Sequence, residues 1–111
     1  MKYVCLVYGE EHLMRTVNDS ECVANGDALR SSGHYVAAEA LQPASTAATV
    51  RVRNGKTVVT DGPFAEAKEM IAGFYLIDAS SLDEAIQLAS RIPPARVGAI
   101  EVRPVRELVV S

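Results

Sequence analysis

Residues 2–8 are almost continuously apolar and rich in Val and Tyr. That is the pattern of a central strand covered on both sides or packed at an interface. Residues 10–18 are mixed and read as a loop. Asn18, Asp19 and Ser20 then offer N-cap oxygens for a helix running to about Ser32, with Cys22, Val23, Gly26 and Leu29 on one stripe. Gly33 is its natural C-terminal cap. Asn25 and Gly26 weaken this helix by up to about 1 kcal/mol each relative to Ala. His34 to Leu41 make a second strand, ended by Gln42-Pro43, and residues 44–46 are loop.

The strongest local signal follows. Thr49 to Arg53 and Lys56 to Thr60 flank Asn54-Gly55, and Asn-Gly between alternating runs specifies a two-residue hairpin, because both turn positions need positive φ. Counting back from the turn pairs Val52 with Thr57, Arg51 with Val58 and Val50 with Val59. One face then carries Val50, Val52 and Val59, and the other Arg51, Arg53, Lys56 and Val58. Asp61-Gly62-Pro63-Phe64 is a turn, and the polar residues 65–70 suit a short helix. Phe74 to Asp78 is a further strand. Ser81 and Glu84 form a capping box opening a second helix, with a stripe of Leu82, Ala85, Ile86, Ala89 and Ile92. Pro93-Pro94 stops it, Ala99 to Arg103 alternates as a last strand, and Pro104 ends that strand. The order predicts one α+β domain over residues 1–111: a βαβ–(β-hairpin)–βαβ arrangement giving a ferredoxin-like antiparallel sheet with helices on one face. The other face is left bare, and packing against a second copy is the simplest way to cover it.

Composition narrows the function classes. With 111 residues there is room for a single domain. The net charge of −3 with mixed signs shows no basic footprint for nucleic acid, and an aromatic share of 5% without Trp offers few platforms for bases. No apolar run approaches a membrane span. Glu10 and Glu11 stand where a signal peptide would be cleaved, so a cytoplasmic protein is expected. Cys5 and Cys22 read as reduced thiols in a strand and a helix, with no CxxC or Cys/His cluster at ligand spacing. No Walker loop, HExxH, GxSxG or dinucleotide fingerprint is present, and neither a metal nor a cofactor is expected.

Ser32-Gly-His-Tyr-Val-Ala-Ala-Glu-Ala-Leu-Gln-Pro43, Thr49-Val-Arg-Val-Arg-Asn-Gly55, Thr60-Asp-Gly-Pro-Phe-Ala-Glu66, Arg91-Ile-Pro-Pro-Ala-Arg96 and Glu101-Val-Arg-Pro104 together resemble the DGPF family of YCII-related proteins. The resemblance covers nearly the whole chain. It implies a dimeric α+β barrel of ferredoxin-like protomers with a pocket in each, a bacterial origin and an association with extracytoplasmic-function sigma factors. It brings no agreed activity. The segment before His34 is shorter than in many relatives, and Ala67 stands where relatives often have Thr.

Two groups offer acid–base chemistry. Asp61 sits at a hairpin exit stiffened by Gly62 and Pro63, and its alternative role is an Asx-turn. His34 follows a helix-ending Gly, carries the side chain suited to proton transfer near neutral pH, and is alternatively a hydrogen-bonded residue at the sheet edge. YCII-related proteins are similar in placing a His and an Asp in a shared cleft, which implies His34 and Asp61 as a catalytic pair. Glu39, Arg51 and Tyr35 are candidate ligand-binding residues. Strand alternation sets Glu39 and His34 on opposite faces unless a bulge intervenes, and Glu39 can instead pair with a hairpin Arg. Arg51 belongs to a basic face that suits an anionic ligand or simple solvation. Tyr35 is one of four tyrosines whose hydroxyls either reach a pocket or sit in the core. Two functions follow as expectations. One is a cofactor-free enzyme using His34 and Asp61 for a lyase- or isomerase-like step. The other is a non-catalytic homodimeric module binding a small ligand or a sigma factor.

Overall fold

The computed structural model describes residues 1–110. Strand β1 covers Lys2–Gly9, and the short helix α1, Glu11–Met14, turns the chain toward α2, Asp19–Ser31. Strand β2 is Tyr35–Ala40, the hairpin strands β3 and β4 are Ala48–Arg53 and Lys56–Asp61, and β5 is Met70–Asp78. Helix α3, Leu82–Ala89, and strand β6, Ala99–Pro104, complete the order. The main sheet has four strands in the order β2-β5-β1-β6, every neighbouring pair antiparallel. The two helical crossovers lie between β1 and β2 and between β5 and β6, which is the ferredoxin-like α+β arrangement.

Alternation along β1 shows how the sheet divides its faces. Tyr3, Cys5 and Val7 are buried beneath the helices, whereas Val4, Leu6 and Tyr8 are only half-buried on the other side. Register carries the same division to β5: Cys5 stands opposite Tyr75, while Leu6 meets Phe74 and Val4 meets Leu76. Tyr75, Ile77, Leu29, Ala85, Leu88, Ala89 and Ile92 close the core on the helix side. The opposite face carries Val4, Leu6, Tyr8, Ala37, Phe74 and Leu76, and no helix covers it.

Several local expectations are corrected. The stretch 10–18 contains a helical turn, because Leu13 and Met14 donate to the Glu10 carbonyl. Residues 65–70 form no helix; β5 begins at Met70, where pairing with Gly9 outweighs the polar composition of the segment. In α2 the inward stripe is Cys22, Gly26 and Leu29, while Val23 is 62% exposed. In α3, Leu88 replaces Ile86 and Leu82 on the inward face, and the helix ends at Ala89. Ile92 is nevertheless buried, carried inward by the turn that the prolines start.

The turns behave as the sequence predicts. Gly33 has φ +80°, and Asn54 and Gly55 have φ 53° and 74°. The hairpin registers are those counted from the turn: Val50 opposite Val59, Arg51 opposite Val58, Val52 opposite Thr57. The Ser81 hydroxyl accepts from the Glu84 amide (3.2 Å), and the Glu84 carboxylate accepts from the Ser80 amide (2.9 Å).

Candidate functional site

His34 is tied by three hydrogen bonds. Its amide donates to the Leu29 carbonyl (2.9 Å), its carbonyl accepts from the Asp78 amide (2.8 Å), and its ring Nδ1 lies 2.8 Å from the Asp78 carbonyl oxygen. A carbonyl can only accept, so Nδ1 is the donor of this bond. Glu84 of α3 is the carboxylate nearest this ring, at 3.8 Å.

Asp61 lies elsewhere. It closes the base of the hairpin opposite Ala48, where the Gly62 amide donates to the Ala47 carbonyl (2.7 Å) and the Thr49 hydroxyl to the Gly62 carbonyl (2.9 Å). His34 stands before the start of β2, and the hairpin follows the far end of that strand, which spans roughly 20 Å. No hydrogen bond or ion pair joins His34 to Asp61 among the described residues.

The other candidates scatter. Arg51 is on the hairpin, its guanidinium 4.9 Å above the Phe64 ring. Glu39 stands opposite Phe74 on the bare face, despite a register shift between Tyr35 and Ala37. It forms no ion pair with a hairpin Arg within the chain. Tyr35 packs against the core, with the Arg30 guanidinium 4.1 Å over its ring.

The concave part of the molecule is a cleft where α2 stands off the β2–β5 edge. Two adjoining hollows share Met14, Val17, Asp19, Leu41 and Ala72 in their walls. The outer one, near α1, is about 670 Å³. The inner one, about 570 Å³, is lined by Cys22, Gly26, Tyr35, Ala38, Phe74 and Tyr75 among others, with Arg30 and Glu39 at its edges. Both are of the size that takes small organic molecules. Gly26 is buried, yet a methyl group built there would meet no atom within 4 Å. The helix position that most needs a side chain for stability opens onto empty space.

The polar groups of the cleft are few. The Tyr75 hydroxyl reaches the Cys22 carbonyl only at 3.5 Å. Burial raises the Tyr75 pKa, opposed by the neighbouring Asn25 amide, and the Asn25 Nδ2 is itself enclosed without an acceptor. The Cys22 thiol is also pushed up, first by burial and then by the Asp19 and Glu21 carboxylates, with Arg96 and Tyr75 acting the other way. Cys22 therefore stays protonated at neutral pH and is a poor nucleophile. No three His, Cys, Asp or Glu side chains converge as metal ligands would among the described residues. Within the same residues no helix is long and apolar enough to cross a membrane.

Comparison with known proteins places this geometry. The family model of the YCII-related domain matches residues 1–109, nearly the whole chain. The chain belongs to the YCII-related family. A curated relative, the uncharacterized protein R00369 of Rhizobium meliloti (strain 1021), is 53% identical over 66 residues, covering 58% of this chain. The match spans about half of that relative, 53% of its length.

In this YCII-related chain, Tyr35 and Glu39 border the inner hollow and Arg51 does not, while the sequence pattern marks Tyr75 only as one of four tyrosines and Gly26 only as part of a helix stripe. A signal was present. Asn25-Gly26 is a poor helix former set mid-helix, and tertiary structure that keeps such a pair must gain something other than helix stability.

Proposed function

We propose that this YCII-related chain is a homodimeric binding protein for small, mainly apolar molecules, and that its ligand lies in the cleft beneath α2. The observation that carries the reading is Gly26: a buried helix position facing unfilled space, in a hollow of about 570 Å³. Ala38, Ala72 and Val17 supply apolar walls, and the Tyr75 hydroxyl supplies one polar contact. That set favours a ligand with one hydrogen-bonding group on an apolar frame.

Gly26→Leu tests this. The leucine fills the cleft while removing a helix-destabilising glycine, so the variant folds and melts no lower than the parent. Acetophenone, titrated by NMR, is expected to shift Tyr75 and Ala38 resonances in the parent and not in the variant. Equal shifts in both proteins would remove the cleft from consideration.

The homodimer reading rests on the bare sheet face. Val4, Leu6, Tyr8, Phe74 and Leu76 form one apolar surface that no helix of the chain covers, and a second copy packed face to face buries it. The Thr60–Glu66 stretch supports placing the chain in the DGPF branch, whose members resemble dimeric α+β barrels.

Proton transfer by His34 and Asp61 is the second reading, favoured by the Nδ1 bond to the Asp78 carbonyl, which orients the ring and leaves Nε2 outside that bond. It is the weaker one, because nothing within a chain joins the two groups. If His34→Ala and Asp61→Ala each leave any detected turnover unchanged, this reading falls.

A further inference from the structure

The β3–β4 hairpin is a two-stranded sheet separate from the main one, and among the described residues no other helix or strand makes more than marginal contact with it. All twelve of its strand residues but Thr49 are exposed. A lone two-stranded hairpin is marginally stable in water at best. This one is amphipathic: Val50, Val52 and Val59, each 60% exposed, share a face, and Arg51, Arg53 and Lys56 share the other. Three valines aligned on a ribbon and left in solvent amount to half of an interface.

Charge indicates the occupant. Residues 49–60 hold three of the eleven cations of the chain and none of its fourteen acids. The remainder therefore holds eight cations against fourteen acids, so acids outnumber cations on a second copy outside its own hairpin. On the bare face, Glu101 is already held by Arg103 at 2.7 Å. Glu39 of β2, also on that face, is exposed and has no cation within 4 Å among the described residues. Apolar area and an unpaired acid thus coincide at the β2 side of the face.

We propose that the hairpin is an arm that crosses to a second copy of the chain. Val50, Val52 and Val59 lie on the β2 side of the partner's bare sheet face. The cations beside the turn, Arg53 and Lys56, reach around the ribbon edge to the partner's Glu39. The arm extends the face-to-face dimer proposed above and rests on it. By two-fold symmetry each copy gives one arm and receives one.

The test is sedimentation equilibrium of the full chain at micromolar concentration with three variants. Val50→Lys/Val59→Lys alters exposed positions only, so circular dichroism and the thermal midpoint of the isolated chain check that the fold is kept. Its dimer dissociation constant is expected to rise about 100-fold. Arg53→Glu/Lys56→Glu is expected to weaken the dimer about tenfold, with recovery when Glu39→Lys is added. Leu6→Lys disrupts the central face and reports on the underlying dimer. If Leu6→Lys gives monomers while Val50→Lys/Val59→Lys remains as tight as the parent, the dimer stands and the arm does not. A monomeric parent overturns both. A parent whose Arg53→Glu/Lys56→Glu variant loses binding to a DNA duplex and dimerises unchanged assigns the ribbon to nucleic acid and overturns the arm.

Discussion

At the residue scale, His34 shows how a group chosen for its chemistry can serve structure. Its backbone and ring together fasten the end of α2 and the start of β2 to the end of β5. His34→Ala keeps the backbone bonds and loses the ring bond to the Asp78 carbonyl, so a destabilisation of about 1 kcal/mol is expected in chemical denaturation. Cys5 makes a prediction with a definite sign. Burial raises its pKa from 9.0 to about 11, and the residue is fully enclosed. The folded state therefore holds the thiol proton at pH values where the unfolded chain has lost it. The stability from this proton is complete below pH 9 and is lost as pH rises toward 11. The loss is on the order of 3 kcal/mol. Urea midpoints measured from pH 8 upward should fall more steeply for the parent than for Cys5→Ala, and parallel slopes would contradict the assignment to Cys5. The same burial keeps Cys5 unreactive to alkylation until the protein unfolds.

At the element scale, the two crossover helices differ in how they are held. α3 begins where the Ser81 hydroxyl accepts from the Glu84 amide and the Glu84 carboxylate accepts from the Ser80 amide, and it buries Ala85, Leu88 and Ala89. Ser81→Ala removes the oxygen that accepts from the Glu84 amide, and a loss of about 1 kcal/mol in thermal or urea unfolding is expected. α2 opens on a capping box, with the Asn18 amide donating to the Glu21 carboxylate at 3.3 Å, and is further clamped where Arg96 donates to both Glu21 oxygens at 3.2 Å, while Gly26 in its middle faces open space over the cleft. Elements with strong local codes were legible in sequence: the Asn54-Gly55 hairpin with its full register, the Ser81 cap, and the strands that make up the ferredoxin-like order. Others were not, because tertiary pairing decided them. Met70 joins β5 through its pairing with Gly9, 61 positions away, a contact that local composition cannot reveal from either end. Ile86 fell on the wrong side of α3 because a stripe of small and branched residues fits two helical phases, and only the sheet beneath selects Leu88. The site was less legible than the fold for a related reason. A cleft is the place where packing fails to close, and residues that leave space, such as Gly26, carry no chemical signature of their own.

At the scale of the whole molecule, the dimensions argue for association. The chain measures 47 × 46 × 19 Å, with a radius of gyration of 15.8 Å. A compact domain of this length has a radius near 13 Å. The excess is lateral: the slab is one sheet and one layer of helices thick, and the hairpin extends it in the plane. A thin plate exposes more apolar surface than a sphere of the same mass, and stacking two plates on their bare faces is the arrangement that doubles the short axis while adding little to the long ones. Small-angle scattering should therefore return twice 11.9 kDa and a particle whose three axes are nearly equal, because the thickness approaches the width once two slabs are superposed. The same measurement on Leu6→Lys should return the single mass and a flattened particle. Side-by-side pairing through the β2 or β6 edges would give the doubled mass with an elongated plate, and that shape would place the interface on a sheet edge and not on the face.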